Sequence, residues 1–399
     1  MEVNVSTTTK DGSAAQGPIS LFILGLMASV TFVGILSELV PSGILPQMTE
    51  GLGIEETQVG FLVGIYALAS AVAAIPLISM TLAVNRKTLL LVLLTGFAVS
   101  NIIVGLTSSY ELIVAMRILG GICAGIMWPM IAAYGGALVP ANMQGKAITI
   151  IMSGNTFGVS LGLPFMTYIG TEIGWRTEFV SLGILVIVIA LLSARFLPSV
   201  PGEKLTKANS PLAVLKIPGV LLVLLLTFLS VTAHYGAYTY ITLLVEKIAF
   251  PGGISLALLI FGIGSVISVL GSAKVIDNYL REVIVSMLLL GAVSMGLFLW
   301  FGDTYGLTHL AFFLWGIAFG PLVTMYQTAV SKQVSHGKAV ATSTQSAVFN
   351  FSIMIATWIC GMLLTRLPDT GIEAIIFLSL LAFVPAAIIA FLSKRFLSA

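Results

Sequence analysis

Two side chains able to carry charge stand alone in long apolar runs of this chain. Glu38 lies in ILSELVPSGILP and Arg117 lies in VAMRILGG. An ionisable residue in such a setting is costly to bury, so it normally faces a cavity and finds a partner. A carboxyl pulled toward ionisation by an arginine, and away from it by burial, can take up and release a proton. The other chemistry open to these two residue types is a static ion pair that ties two helices together.

A second group of polar residues lies in VTAHYGAYTYI. His234 carries an imidazole, which titrates near neutrality. It either contacts a solute or sits neutral against a backbone or hydroxyl partner. Tyr235, Tyr238 and Tyr240 follow it. Each offers a ring to stack and a hydroxyl to bond, which suits a polar or amphipathic solute, and an interfacial aromatic belt is the alternative. Asn155, Gln345 and Asn350 are uncharged polar groups within apolar runs, placed either to line a cavity or to bond a neighbouring helix. Gly154, Gly158 and Gly162, followed by Pro164, make a smooth helix face. Gly264, Ser268 and Ser272 repeat the same four-residue spacing. Such faces allow close packing, either as an interface between two halves of the molecule or within one half.

Membrane-spanning helices must position these groups. The chain has 399 residues, of which AVILMFWYC make up 58% and charged residues 9%. Soluble domains carry about 25% charged residues. So few charges cannot cover a water-exposed surface, which excludes a soluble enzyme, a nucleic-acid binder and a disordered scaffold. The only cysteines, Cys123 and Cys360, both lie in apolar runs, which argues against a disulfide framework or a cysteine-ligated metal. No GxxxxGK[ST] and no HExxH occurs.

Twelve apolar runs approach the about 20 residues needed to cross a bilayer. They fall near 18–45, 57–80, 88–107, 110–138, 147–169, 177–198, 217–245, 252–274, 282–302, 307–331, 338–365 and 371–393. They are continuous rather than alternating, which excludes strands. Placing both termini in the cytoplasm puts 14 of the 18 basic residues on that side, and ten of the 16 acids on the other. This is the asymmetry of the positive-inside rule. Residues 1–17 are polar and read as a disordered cytoplasmic tail without signal-peptide features. Residues 199–216 carry Pro, Gly, Lys and Glu and read as a cytoplasmic linker. The expected fold is therefore an all-α polytopic membrane protein. One six-helix bundle spans 18–198, and a second, with a short tail, spans 217–399. Parallel six-helix repeats place a substrate site between the halves.

Counting along helices at 1.5 Å per residue puts Glu38 and Arg117 at a common depth of about 10–12 Å from the outer face. A shift of 195 residues superimposes the 2–3 loop on the 8–9 loop and carries Glu38 to position 233, next to His234. The sequence thus predicts two ionisable groups at equal depth across a central cavity.

These residues resemble the major facilitator superfamily, and within it the twelve-span drug:proton antiporter group that includes bacterial sugar-efflux transporters. Glu38-Leu-Val-Pro41 with Pro46 is similar to that group's first-span motif. Arg117-Ile-Leu-Gly120-Gly121 is similar to its fourth-span RxxxG motif. Gly154, Gly158, Gly162 and Pro164 resemble its fifth-span antiporter motif. Gly174-Trp175-Arg176-x2-Phe179 resembles the GWRxxF segment, and Thr232-Ala-His234-Tyr235-x-Ala-Tyr238 resembles span 7 of the sugar-efflux members. The loop 2–3 motif GxLADRxGRK reads ISMTLAVNRK here. It keeps Arg86 and Lys87 but has Leu82 in the acid's place, while loop 8–9 keeps Asp277.

The resemblance implies alternating access, export in exchange for protons, a proton site at Glu38 tuned by Arg117, and cytoplasmic gating at Arg86, Lys87 and Asp277. The expected setting is a bacterial inner membrane. The expected partners are a small-molecule substrate, protons and lipid, with no nucleic acid. No cofactor beyond the coupling proton is expected, and the chain is expected to act as a monomer. A proton-coupled importer is the alternative within transport, and a membrane sensor that moves nothing is the alternative outside it.

Overall fold

The computed structural model describes residues 21–140, 143–202, 214–272, 276–334 and 338–397. The expected tail at 1–17 and most of the expected linker lie outside the described residues. Among the described residues there is no strand, and twelve helices are long and apolar enough to cross a membrane. They are α1 (Leu21–Gly43), α2 (Glu56–Ala74), α3 (Arg86–Leu106), α4 (Tyr110–Ala137), α5 (Ala147–Glu172) and α6 (Trp175–Phe196). The second six are α7 (Pro218–Thr239), α8 (Gly253–Ser272), α9 (Tyr279–Phe301), α10 (Leu307–Lys332), α11 (Val340–Arg366) and α12 (Gly371–Leu392).

Local chemistry sets many of the ends. Asn85 caps α3 by accepting from the Lys87 and Thr88 backbone N–H groups, and Ser109 caps α4 by accepting from Leu112. Pro218 opens α7, where its missing N–H costs nothing. Gly174 starts α6 at φ +131°, a conformation that excludes most side chains and accounts for the glycine of GWRxxF.

Two expected spans are shorter than their apolar runs. The run 18–45 breaks at Ile44 (φ −131°, ψ 27°), and a short helix Leu45–Leu52 follows. The run 217–245 breaks at Tyr240 (φ −108°, ψ 26°), before a short helix Ile241–Lys247. The breaks fall at matching places in the two halves.

The packing repeats as well. In the first half α1 packs on α5 and α6, α2 on α4, and α3 on α4 and α6. Each pair recurs six helices later: α7 on α11 and α12, α8 on α10, and α9 on α10 and α12. The halves meet along α2–α11 and α5–α8, contacts that the same repeat exchanges. On α2 the lack of a Cβ at Gly60 admits the Tyr240 ring, and that at Gly64 admits Thr357. Residues 33–45 of the α1 region and 233–245 of the α7 region are buried without interruption. The two halves are therefore sealed together at the end that carries the helix breaks. Toward the opposite end Ser29, Asn155, Gln327, Ser346 and Asn350 keep part of their surface exposed.

The glycine face of α5 does not form the interface between the halves. Gly154 packs on the Ala28 backbone and Thr31, Gly158 on Phe32 and Ile35, and Gly162 on Phe32 and Leu36, all in α1. The α5–α8 contact instead sets Gly262 against the Ser160 backbone. A four-residue glycine spacing marks a close approach, but it does not name the partner. Gly154→Leu would drive a branched side chain into the Ala28 carbonyl. It should lower stability by about 3 kcal/mol or more, whereas Gly25→Ala, where nothing lies within 4 Å, should stay within about 1 kcal/mol. Thermal unfolding of the two purified variants checks this, and equal midpoints would refute it.

Candidate functional site

The first-half site begins with a proline. Pro41 lies inside α1 and has no N–H, so the Ser37 carbonyl four residues earlier loses its helical donor. Arg117 of α4 supplies one. Its Nη1 donates to the Ser37 carbonyl, Nη2 donates to the Glu38 carbonyl at 2.8 Å, and Nε donates to the Leu62 carbonyl of α2 at 3.1 Å. The guanidinium lies 4.3 Å from the centre of the Tyr66 ring, a cation–π arrangement. Gly120 and Gly121 of α4 lie against the Tyr66 ring and the Tyr66 carbonyl, where a Cβ would collide. This is the physical content of the RxxxG pattern: the arginine reaches across while the glycines bring α2 close.

Glu38 and Arg117 are therefore neighbours, 4% and 2% exposed, as the depth count predicts. The ion pair weighed from the sequence does not form. The guanidinium is taken up by backbone carbonyls, and among the described residues no side chain hydrogen-bonds or ion-pairs with the Glu38 carboxyl. Arg117 still acts on that carboxyl through space. Tyr66, in the same half, and Tyr235, in the other half, lie within electrostatic reach of it. Asn101 of α3 completes the surround. Its Nδ2 donates to Ser37 Oγ at 2.9 Å and to the Phe97 carbonyl at 2.8 Å. Sequence reasoning missed Tyr66 and Asn101. The signal for Asn101 was a lone amide in an apolar run, the same signal that marks Asn155.

The family model described as Major Facilitator Superfamily matches residues 27–357. The chain belongs to the major facilitator superfamily. Solved facilitator structures share its fold. A D-xylose–proton symporter superimposes with a TM-score of 0.75 at 17% identity, covering 93% of this chain and 97% of its own. The nucleoside transporter NupG gives 0.72 at 14% identity, covering 94% and 98%. A bacterial homologue of the human lysosomal transporter Spinster, inward-facing and occupied, gives 0.72 at 14% identity, covering 94% and 97%. The chain is a facilitator-type transporter and not an enzyme.

In the second half of this facilitator the histidine is not placed across a cavity from Glu38. His234 is 3% exposed and turns into its own half. Its ring stacks on Phe319 at 3.4 Å between centroids and packs against Tyr235, Tyr238, Phe261 and Trp315. Its Nδ1 has no hydrogen-bond partner. Tyr235, one residue on, is the group that comes within electrostatic reach of Glu38, and it also packs edge-on against Phe349 of α11. One residue turns a helix by about 100°, which an alignment of loops cannot resolve. Tyr238 and Tyr240 are buried, so neither forms an interfacial belt.

The remaining facilitator residues separate. Gln345 is buried and bonds Thr227 of α7 at 3.4 Å, an intra-half contact. Asn350 is partly exposed, with Nδ2 on the Ser346 carbonyl. Asn155 is partly exposed one turn before a π-turn at Gly158–Gly162, in which the Leu163 N–H reaches back to the Gly158 carbonyl. Such a turn is a point where a helix can bend, and Pro164 follows it after Leu163. Arg86 and Lys87 open α3, where the Arg86 N–H bonds the Val200 carbonyl and Asn85 bonds Ser199. The 2–3 loop is thus tied to the end of its own half. Asp277 lies at the foot of the helix leading into α9, and its side chain is outside the described residues. Among the described residues no group of three His, Cys, Asp or Glu is placed to hold a metal.

Proposed function

We propose that this transporter exports small polar or amphipathic molecules, sugars or drugs, in exchange for protons, with Glu38 carrying the proton. One observation supports this above the others: the Glu38 carboxyl is buried between the halves with no bonded partner, while Arg117 is held on backbone carbonyls. A locked ion pair would hold its charge. A carboxyl left unbonded beside a fixed cation can gain or lose a proton with little rearrangement. Tyr235 brings the second half into contact with that change.

Protons are the only coupling ion in this reading, and no cofactor takes part. The protein works as a monomer in a bacterial inner membrane with both termini in the cytoplasm. With the basic loops inside, the sealed end faces outward and the half-exposed polar residues Asn155 and Asn350 face inward. That is the state in which a cytoplasmic solute enters. Substrate then contacts Tyr235, Asn155 and Asn350, with Tyr238, His234 and Gln345 shaping the wall behind them. Arg86, Lys87 and Asp277 control the inner end. Substrate and proton favour different facing states, as coupling requires.

The experiment is wild-type protein in proteoliposomes under an imposed pH gradient, after a thermal-shift screen of sugars, nucleosides and antibiotics has found a ligand. Antiport moves that ligand toward the acidic compartment. Accumulation in the alkaline compartment would identify a symporter instead, and flux indifferent to the gradient would end the proton reading.

A further inference from the structure

Glu178 lies at the start of α6, at the outer end of the apolar run 177–198, yet it has no exposed surface. Neither carboxyl oxygen has a hydrogen-bond partner. Oε2 sits against the Cα of Gly170 in α5, where Ile44 from the break after α1 also packs. Thr167, about one turn earlier on α5, packs on Gly43, and its hydroxyl is likewise unpartnered. The elements packed on α6 are α1, α3 and α5. The groups that meet α6 or the Glu178 carboxyl are Ile44 after α1, Gly51 of the short helix Leu45–Leu52, Gly170 of α5, and Ala98, Ile102 and Gly105 of α3. None is charged or titratable. The cation two residues away, Arg176, bonds Ser108 at 2.8 Å and lies on the Trp175 ring. No charged side chain acts on Glu178.

An ionised carboxylate cannot be kept in such a place without donors, ions or water. The packed arrangement therefore requires the neutral acid. The segment that covers this carboxyl, Leu163–Glu172, follows the π-turn at Gly158–Gly162, and it also packs on α8 of the other half. The lid over Glu178 is thus part of the seal between the halves, attached to the rest of α5 through the π-turn.

We propose that Glu178 is a second proton-binding site, whose protonation lets the outer segment of α5 seat on α6 and favours closure of this end. Loss of the proton to solvent demands hydration of the carboxylate and lifts Gly170 away. The site lies apart from Glu38 and does not rest on the role given to that residue.

Hydrogen exchange of the full-length protein in nanodiscs tests this, with rates corrected for intrinsic pH dependence. In the wild type, protection of 163–172 should fall as pH rises from about 5 to 8, by up to about tenfold per pH unit for one linked proton. In Glu178→Gln, which cannot ionise, protection should stay high throughout. Glu38→Gln should behave like the wild type in this segment, which separates the two sites. Gly170→Ala, which puts a methyl group into the carboxyl's seat, should lower protection at every pH. A pH-independent wild type would overturn the proposal even if Glu178→Gln failed to fold. So would a pH dependence that persists in Glu178→Gln.

Discussion

Glu38→Gln should abolish uphill transport while leaving substrate binding and substrate–substrate exchange in place. The amide keeps the size and polarity of the acid but cannot ionise. The Arg117 bonds run to the Ser37, Glu38 and Leu62 carbonyls, so none is lost with the carboxylate, and the fold should survive. What disappears is the free-energy link between the proton and the facing state. Such couplings are worth about 1–3 kcal/mol, or about 5–150-fold, so gradient-driven flux should drop by at least about fivefold. Parallel measurements of gradient-driven flux, counterflow exchange and ligand-induced thermal shift check this. Undiminished gradient-driven flux would remove Glu38 from the mechanism, and loss of all three would point to a structural role.

The second large effect concerns Arg117. Arg117→Met leaves the Ser37 carbonyl with no donor, because Pro41 cannot supply one. An orphaned buried acceptor costs about 1–3 kcal/mol, and the contact with Tyr66 adds about 0.5–2 kcal/mol, so a loss of about 1.5–5 kcal/mol is expected. Pro41→Ala restores an N–H four residues after Ser37, so in that background Arg117→Met should cost about 1 kcal/mol less. Unfolding midpoints of the two single variants and the double variant form the cycle. Additive effects would mean that the arginine does not serve the carbonyl freed by the proline.

Much of this site was legible because the bilayer makes a local demand on every segment. A spanning helix must be apolar for about 20 residues and must satisfy its own backbone. A charge inside it is therefore conspicuous, and counting along two helices from their ends predicts that Glu38 and Arg117 meet. The charge asymmetry of the loops yields twelve spans by similarly local reasoning, and the described residues hold twelve. The same reasoning fails where three-dimensional packing chooses between faces. These helices are apolar nearly all round, so periodicity does not tell which face meets lipid and which meets protein. His234 and Tyr235 are adjacent in sequence and equally plausible, yet one enters an aromatic cluster and the other approaches Glu38. The glycines of α5 announce a close neighbour, and only packing identifies it as α1 rather than α8.

By itself, then, the sequence determined the class of molecule, the two six-helix repeats, and the pair of ionisable residues at matched depth. Each follows from what one segment must do to enter a membrane. The tertiary structure decided where the hydrogen bonds of Arg117 go, which leaves the Glu38 carboxyl unbonded rather than locked. It also decided that Glu178, four residues into a helix that begins at the membrane's edge, is covered by a neighbouring segment. Hydrogen bonding and desolvation depend on groups brought from distant parts of the chain, and no local pattern carries that information.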